Sequence, residues 1–180
     1  MAFPVLQPIR MLAENAVVAV CNAAADAEAA VAELRRQGVA NGSVSVVTVE
    51  EPGGSKPSAY YVRGGCLRRA PDLESCRQLW ETLSEFAVLV SPGERAVVLG
   101  GPLAASVVRA LDQEELFAKL GPLAGGLYNL GITRDAAREF ELAALQGHSL
   151  VIVHGRAHDV ARARRILAPW LPQAATGGRL

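Results

Sequence analysis

Four groups of residues in this sequence could do chemistry, and each needs a particular neighbour to do it. Cys21 closes one short apolar run and His154 closes another, each just before a helical pattern. A thiolate is stabilised at a helix N-terminus, and an imidazole beside it would complete a nucleophile–base pair. That pair requires the two strands to be parallel neighbours. In a ferredoxin-like sheet the first and last strands run antiparallel, which holds the two ends apart. A single unpaired cysteine reads more simply as a small core residue. His148, His154 and His158 raise the question of a metal. His148 and His154 share a strand face by parity, but six residues of extended chain put them about 20 Å apart. His154 and His158 can approach across a turn, yet two ligands without a third make a poor site.

The remaining two groups concern anions. Arg156, Arg162, Arg164 and Arg165 gather on the last helical pattern, where they could meet an anion or simply form a solvated face. Gly100 and Gly101 precede Pro102 without Gly-x-Gly-x-x-Gly spacing and without a following Lys-Ser/Thr, so no phosphate loop is present. Backbone N–H groups at a helix start can still face an anion. Gly100, Gly101 and Arg156 are therefore the candidate ligand-binding residues; no catalytic residue, metal ligand or cofactor is predicted.

These residues must be positioned by strands and helices. Ala16–Cys21 is a Val-rich strand, and Ala27, Ala30, Val31 and Leu34 then recur at the spacing of a buried helical stripe. Asp26 suits the start of that helix, Arg35 and Arg36 suit its end, and Gly38 stops it. Ser43–Val49 alternates polar and β-branched residues, the pattern of a strand with one buried face. Residues 50–70, rich in Gly and Pro, read as a loop that can hold a short strand at Tyr60–Arg63. Pro71-Asp72 opens a helix with Leu73, Cys76, Leu79, Trp80 and Leu83 on one face, and Phe86–Val90 and Arg95–Gly100 form a hairpin around Ser91–Glu94.

Gly-Pro-Leu-Ala occurs at 101–104 and again at 121–124. Proline lacks an N–H and suits the first position of a helix, so each copy reads as a helix start. The first helix runs from Pro102 to about Leu111, Asp112 and Glu115 suggest a capping box for a short helix to Leu120, and the second Gly-Pro segment leads to Gly131. Thr133 can cap a helix that turns Ala137, Phe140 and Ala144 inward and stops at Gly147; Ser149–Val153 is a strand, and Asp159–Trp170 is the last helix, burying Val160, Ala163, Ile166 and Leu167. The layer rules then give an α+β, ferredoxin-like sandwich: a sheet of about five strands with helices mainly on one face. A doubly covered, three-layer sheet is the alternative.

The chain has 180 residues, 51% of them apolar and only 5% aromatic, enough for a single domain over 1–180 whose core is assembled from small side chains. Residues 1–14 and 171–180 read as flexible ends. Eighteen basic residues balance eighteen acidic ones, which argues against nucleic acid as the main partner. Cys21, Cys66 and Cys76 match no zinc or redox spacing and suit free thiols in a reducing cytosol. The first eleven residues lack the plan of a secretory signal, and Arg109, Asp112, Glu114, Glu115 and Lys119 break up any stretch long enough to span a membrane. A cytoplasmic protein without a membrane partner is the expectation.

A family resemblance rests on two blocks. Val17-Val18-Ala19-Val20 through Ala30-Val31, Leu34, Gly38 and Val44–Val47 form the first; Gly126-Leu127, Leu130-Gly131-Ile132, Ala136-Ala137, Phe140-Glu141, Gly147 and Leu150–Val153 form the second, and the Ala161–Leu167 helix closes it. In order and content they resemble the bacterial heat-induced general stress protein domains; residues 50–86 do not contribute. The resemblance implies a stress-associated role of unknown biochemistry and supplies no catalytic residues. A non-catalytic domain that self-associates is expected, through the hairpin edge and the small-residue helix at Gly121–Gly126. A small-molecule-binding regulatory domain, using the cleft beside the Gly-Pro helix starts, and an enzyme with an unrecognised site are the competing readings.

Overall fold

Strand β1 (Ala16–Cys21) and strand β2 (Val44–Glu50) run parallel, yet they are not neighbours in the sheet. In the computed structural model, which describes residues 15–50, 59–63, 85–89, 96–111 and 120–171, strand β6 (Ser149–His154) lies between them and pairs antiparallel with both. Beyond β2 follow β5 (Ala96–Gly100), β4 (Glu85–Leu89) and β3 (Ala59–Arg63), giving a six-stranded sheet in the order β1-β6-β2-β5-β4-β3. Every neighbouring pair is antiparallel. The α+β expectation is met. The sixth strand is the short one within the 50–70 loop, which pairs with the outer side of β4.

Helix α1 (Ala24–Arg36) joins β1 to β2, and helix α5 (Ala157–Leu167) follows β6; both cover the face that presents Val17, Ala19, Cys21, Val44, Val46, Val98, Val151 and Val153. The opposite face, with Ala16, Val18, Val47, Val97, Leu99, Leu150 and Ile152, is covered by α2 (Pro102–Leu111), α3 (Pro122–Asn129) and α4 (Arg134–Leu145). Helices mainly on one face is thus corrected to helices on both faces, the three-layer alternative. The physical reason lies in β6, where every residue from Ser149 to Val153 is buried, so both sides of the strand need a cover.

Local chemistry sets the element ends. Gly38 (φ +78°) closes α1, its N–H donating to the Arg35 carbonyl at 2.8 Å, while the Val39 N–H reaches Leu34. Gly147 (φ +96°) closes α4 in the same manner. Thr133 occupies the position before α4 but contributes no side-chain cap.

The expected basis for self-association is also corrected. Leu123, Ala124, Gly125, Gly126 and Leu127 are all buried inside the chain. A Cβ on Gly126 would overlap the Val107 side chain and lie 3.1 Å from its backbone, so this glycine serves the close contact of α3 with α2. The β4–β5 hairpin exposes no edge there either, because β3 pairs along the outer side of β4. The Ser91–Glu94 turn, the helix after Pro71, the Asp112 capping box and residues 1–14 and 172–180 lie outside the described residues. Leu171 is described and packs, partly buried, against the α1/α5 layer.

Candidate functional site

Both Gly-Pro helix starts are closed by side chains from elsewhere in the chain. Gly101 has φ +82°, and a Cβ there would overlap the Val44 carbonyl oxygen and lie 3.0 Å from Ser45 Cα. The approach brings buried Ser45 to the start of α2, where its Oγ accepts the Leu103 N–H at 3.0 Å. At α3 the same task falls to Glu141 on α4, whose Oε1 accepts the N–H groups of Leu123 at 3.1 Å and Ala124 at 3.3 Å. A Cβ on Gly121 would overlap that carboxylate. A carboxylate satisfies unpaired donors and suits the positive end of a helix dipole. Glu141→Ala therefore leaves two N–H groups without their partner, and a loss of about 1–2 kcal/mol is expected in equilibrium denaturation. Glu141→Gln, which keeps an accepting oxygen, should lose less.

The three ligand-binding candidates come to one end of the sheet. Strands β5 and β6 both run antiparallel to β2, so Gly100 and His154 end at the same side, flanking the beginning of β2. Helix α2 then leaves toward one face and α5 toward the other. In open α/β sheets such a divergence creates a crevice. Here β2 fills the centre, Gly100 is buried opposite Val46 and Phe86, and Gly101 is buried against Ser45. Only Arg156 faces solvent. It sits before the first residue of α5, which has no side-chain cap. Gly155 (φ +151°) donates its N–H to the Asn15 carbonyl at 3.0 Å.

The other arginines of the cluster have separate fates. Arg162 donates to the Gln37 carbonyl, tying α5 to the end of α1 with a cation at the negative end of that helix. Arg165 is exposed and Arg164 partly so. At the end of α1, Glu33 holds Arg36 through contacts of 2.8 and 2.6 Å and Gln37 at 2.7 Å, which together keep its carboxyl down at about 2.

Cys21 and His154 are held apart. Cys21 pairs with Ser149 and His154 with Ala16, at opposite ends of the β1–β6 ladder, about 17 Å along the strand. Burial, and secondarily Asp26, pushes the Cys21 thiol up to about 11. At neutral pH it is a thiol rather than a nucleophilic thiolate. His158 is exposed, with Nε2 2.8 Å from Asp159 Oδ1. Among the described residues no three His, Cys, Asp or Glu side chains gather as a metal site requires.

Sequence reasoning missed Ser45 and Glu141. Ser45 looks like the outward polar position of an alternating strand, and Glu141 like a solvent residue beside Phe140. Their signal is indirect: each Gly-Pro segment begins a helix with unpaired donors and carries no Ser, Thr, Asp or Asn of its own to satisfy them.

No family model matches this chain, and no curated protein or solved structure is significantly similar to it. No helix among the described residues is long and apolar enough to cross a membrane.

Proposed function

We propose that the chain is a non-catalytic α+β domain of the stress-protein type that works by pairing with a second copy of itself. The observation that carries this reading is the outward stripe of α4, where Leu142 is 58% and Leu145 42% exposed. Leu142 and Leu145 are one turn apart on the same side of the helix. Arg134, Asp135, Arg138 and Glu139 are exposed on the same helix, two of each sign. A two-fold axis sets one patch against its own copy, so a surface bearing both signs and an apolar centre can complement itself. The net charge of zero adds no long-range repulsion between copies.

The stress-protein relationship rests on the two sequence blocks alone; the chain places β6 between the ends of the β1-α1-β2 unit. That split β-α-β arrangement is the building unit of ferredoxin-like folds.

Light scattering over a concentration series tests the reading. The wild-type chain should approach a dimer, and the double variant Leu142→Glu/Leu145→Glu should stay monomeric while keeping the wild-type circular-dichroism spectrum, since both positions are solvent-facing. A wild-type chain that remains monomeric throughout overturns the proposal. If that monomer gains thermal stability with phosphate or nucleotides, the ligand-binding alternative takes its place.

A further inference from the structure

The end of β6 carries a histidine whose surroundings suit only one of its charge states. The His154 imidazole hydrogen-bonds to the backbone of Ser43, in the 3-10 turn Asn41–Ser43 that leads into β2. Its Nδ1 is sealed from solvent and has no hydrogen-bond partner. A neutral imidazole tolerates this, because one nitrogen donates and the other carries only a lone pair. A protonated ring would bury a second N–H with nothing to accept it, an unfavourable arrangement for a charged donor.

The position couples three chain segments. His154 pairs with Ala16 at the start of β1. Its neighbour Gly155 donates to Asn15, and a Cβ on Gly155 would stand 3.7 Å from Ser43 Oγ. Helix α5 begins two residues later, at Ala157 after the unfilled cap position of Arg156.

We propose that His154 is an acid-operated latch: protonation drives the imidazole from its seat and loosens the Asn41–Ser43 turn together with the Gly155–Arg156 junction, while both helical layers stay in place. The charged groups on the elements around this end are Arg35, which holds Asn41 Oδ1 at 3.1 Å, Arg134 and Asp135 at the start of α4, Arg156, and the His158–Asp159 pair in the first turn of α5. The start of α2 contributes no acidic residue. Among the described residues arginines outnumber carboxylates here, and none of these groups is a partner of Nδ1. Burial lowers the affinity of His154 for a proton, and the Ser43 hydrogen bond offsets this only in part.

The sign follows from linkage. An unfolded histidine takes up its proton near pH 6.5, while the seated one resists, so the open form binds more protons. Stability from this seat is present above about pH 6.5 and is lost as pH falls below it toward the lowered native value, by up to roughly tenfold in the closed-to-open ratio per pH unit.

Amide hydrogen exchange at pH 7 and pH 5, corrected for intrinsic rates, is the test, with an NMR titration of the histidines alongside. Protection at 42–46 and 154–158 should fall several-fold at pH 5 while that of α4 is unchanged, and His154 should titrate below the ordinary histidine value. His154→Gln, an uncharged hydrogen-bonding replacement, should remove the pH response. Equal wild-type protection at both pH values overturns the latch, as does an unchanged pH response in the variant or a His154 titration at or above the ordinary histidine value.

Discussion

Gly101→Ala is expected to lower stability by about 3–5 kcal/mol, among the largest effects available to a single methyl group in this chain. Two causes act together. The backbone at φ +82° is a conformation in which a Cβ costs about 1–2 kcal/mol for an L-residue. The added carbon also meets backbone rather than a yielding side chain: the Val44 carbonyl oxygen, and Ser45 Cα at 3.0 Å. Strands β2 and β5 must part to admit it, and Ser45 Oγ then leaves the Leu103 N–H. Equilibrium urea denaturation measures this as a lower midpoint at unchanged slope. Ser45→Ala separates the causes, since losing the cap alone costs only about 1 kcal/mol. A Gly101→Ala chain within about 1 kcal/mol of wild type would mean that the β2–β5 junction yields more easily than its backbone contacts indicate.

Phe140→Ala should cost about 3–5 kcal/mol. Phe140 is 1% exposed and among the largest fully buried side chains, in a cluster with Leu103, Leu123, Leu127, Leu150 and Ile152. The chain is poor in aromatics, and its small neighbours Ala136, Ala137 and Ala144 cannot reach across to fill the vacated space. Leu142→Ala, two residues along on the outward side of the same helix, should change monomer stability by no more than about 0.5 kcal/mol. The contrast between the two variants in one denaturation series checks the assigned orientation of α4; equal losses would contradict it.

Helical stripes were the most legible part of the sequence. Ala27, Ala30, Val31 and Leu34, then Ala137, Phe140 and Ala144, then Val160, Ala163, Ile166 and Leu167 are buried as their spacing predicts, because a 3.6-residue repeat is a local property. Strand pairing was not legible in the same sense. Placing β6 between β1 and β2 depends on contacts between distant segments, and the doubly buried nature of β6 only acquires meaning once a helical layer lies on each side. The candidate site shows the same division. Gly101-Pro102 does start a helix, but the cap comes from Ser45, 58 residues away from Leu103, which no local motif could announce. Arg156 does stand at a helix start on the surface, whereas the isolation of Cys21 from His154 follows directly from the antiparallel β1–β6 ladder.

The insertion of β6 between the first two strands has a consequence for how the chain is made. During synthesis β1, α1 and β2 emerge long before Ser149–His154, so the early unit waits on the ribosome with its middle missing and its apolar strand edges unpaired. Closure is a late, long-range event, which favours slow folding. A nascent chain stalled ahead of Ser149 should depend on holding chaperones, and release of the segment beyond it should let the sheet zip shut.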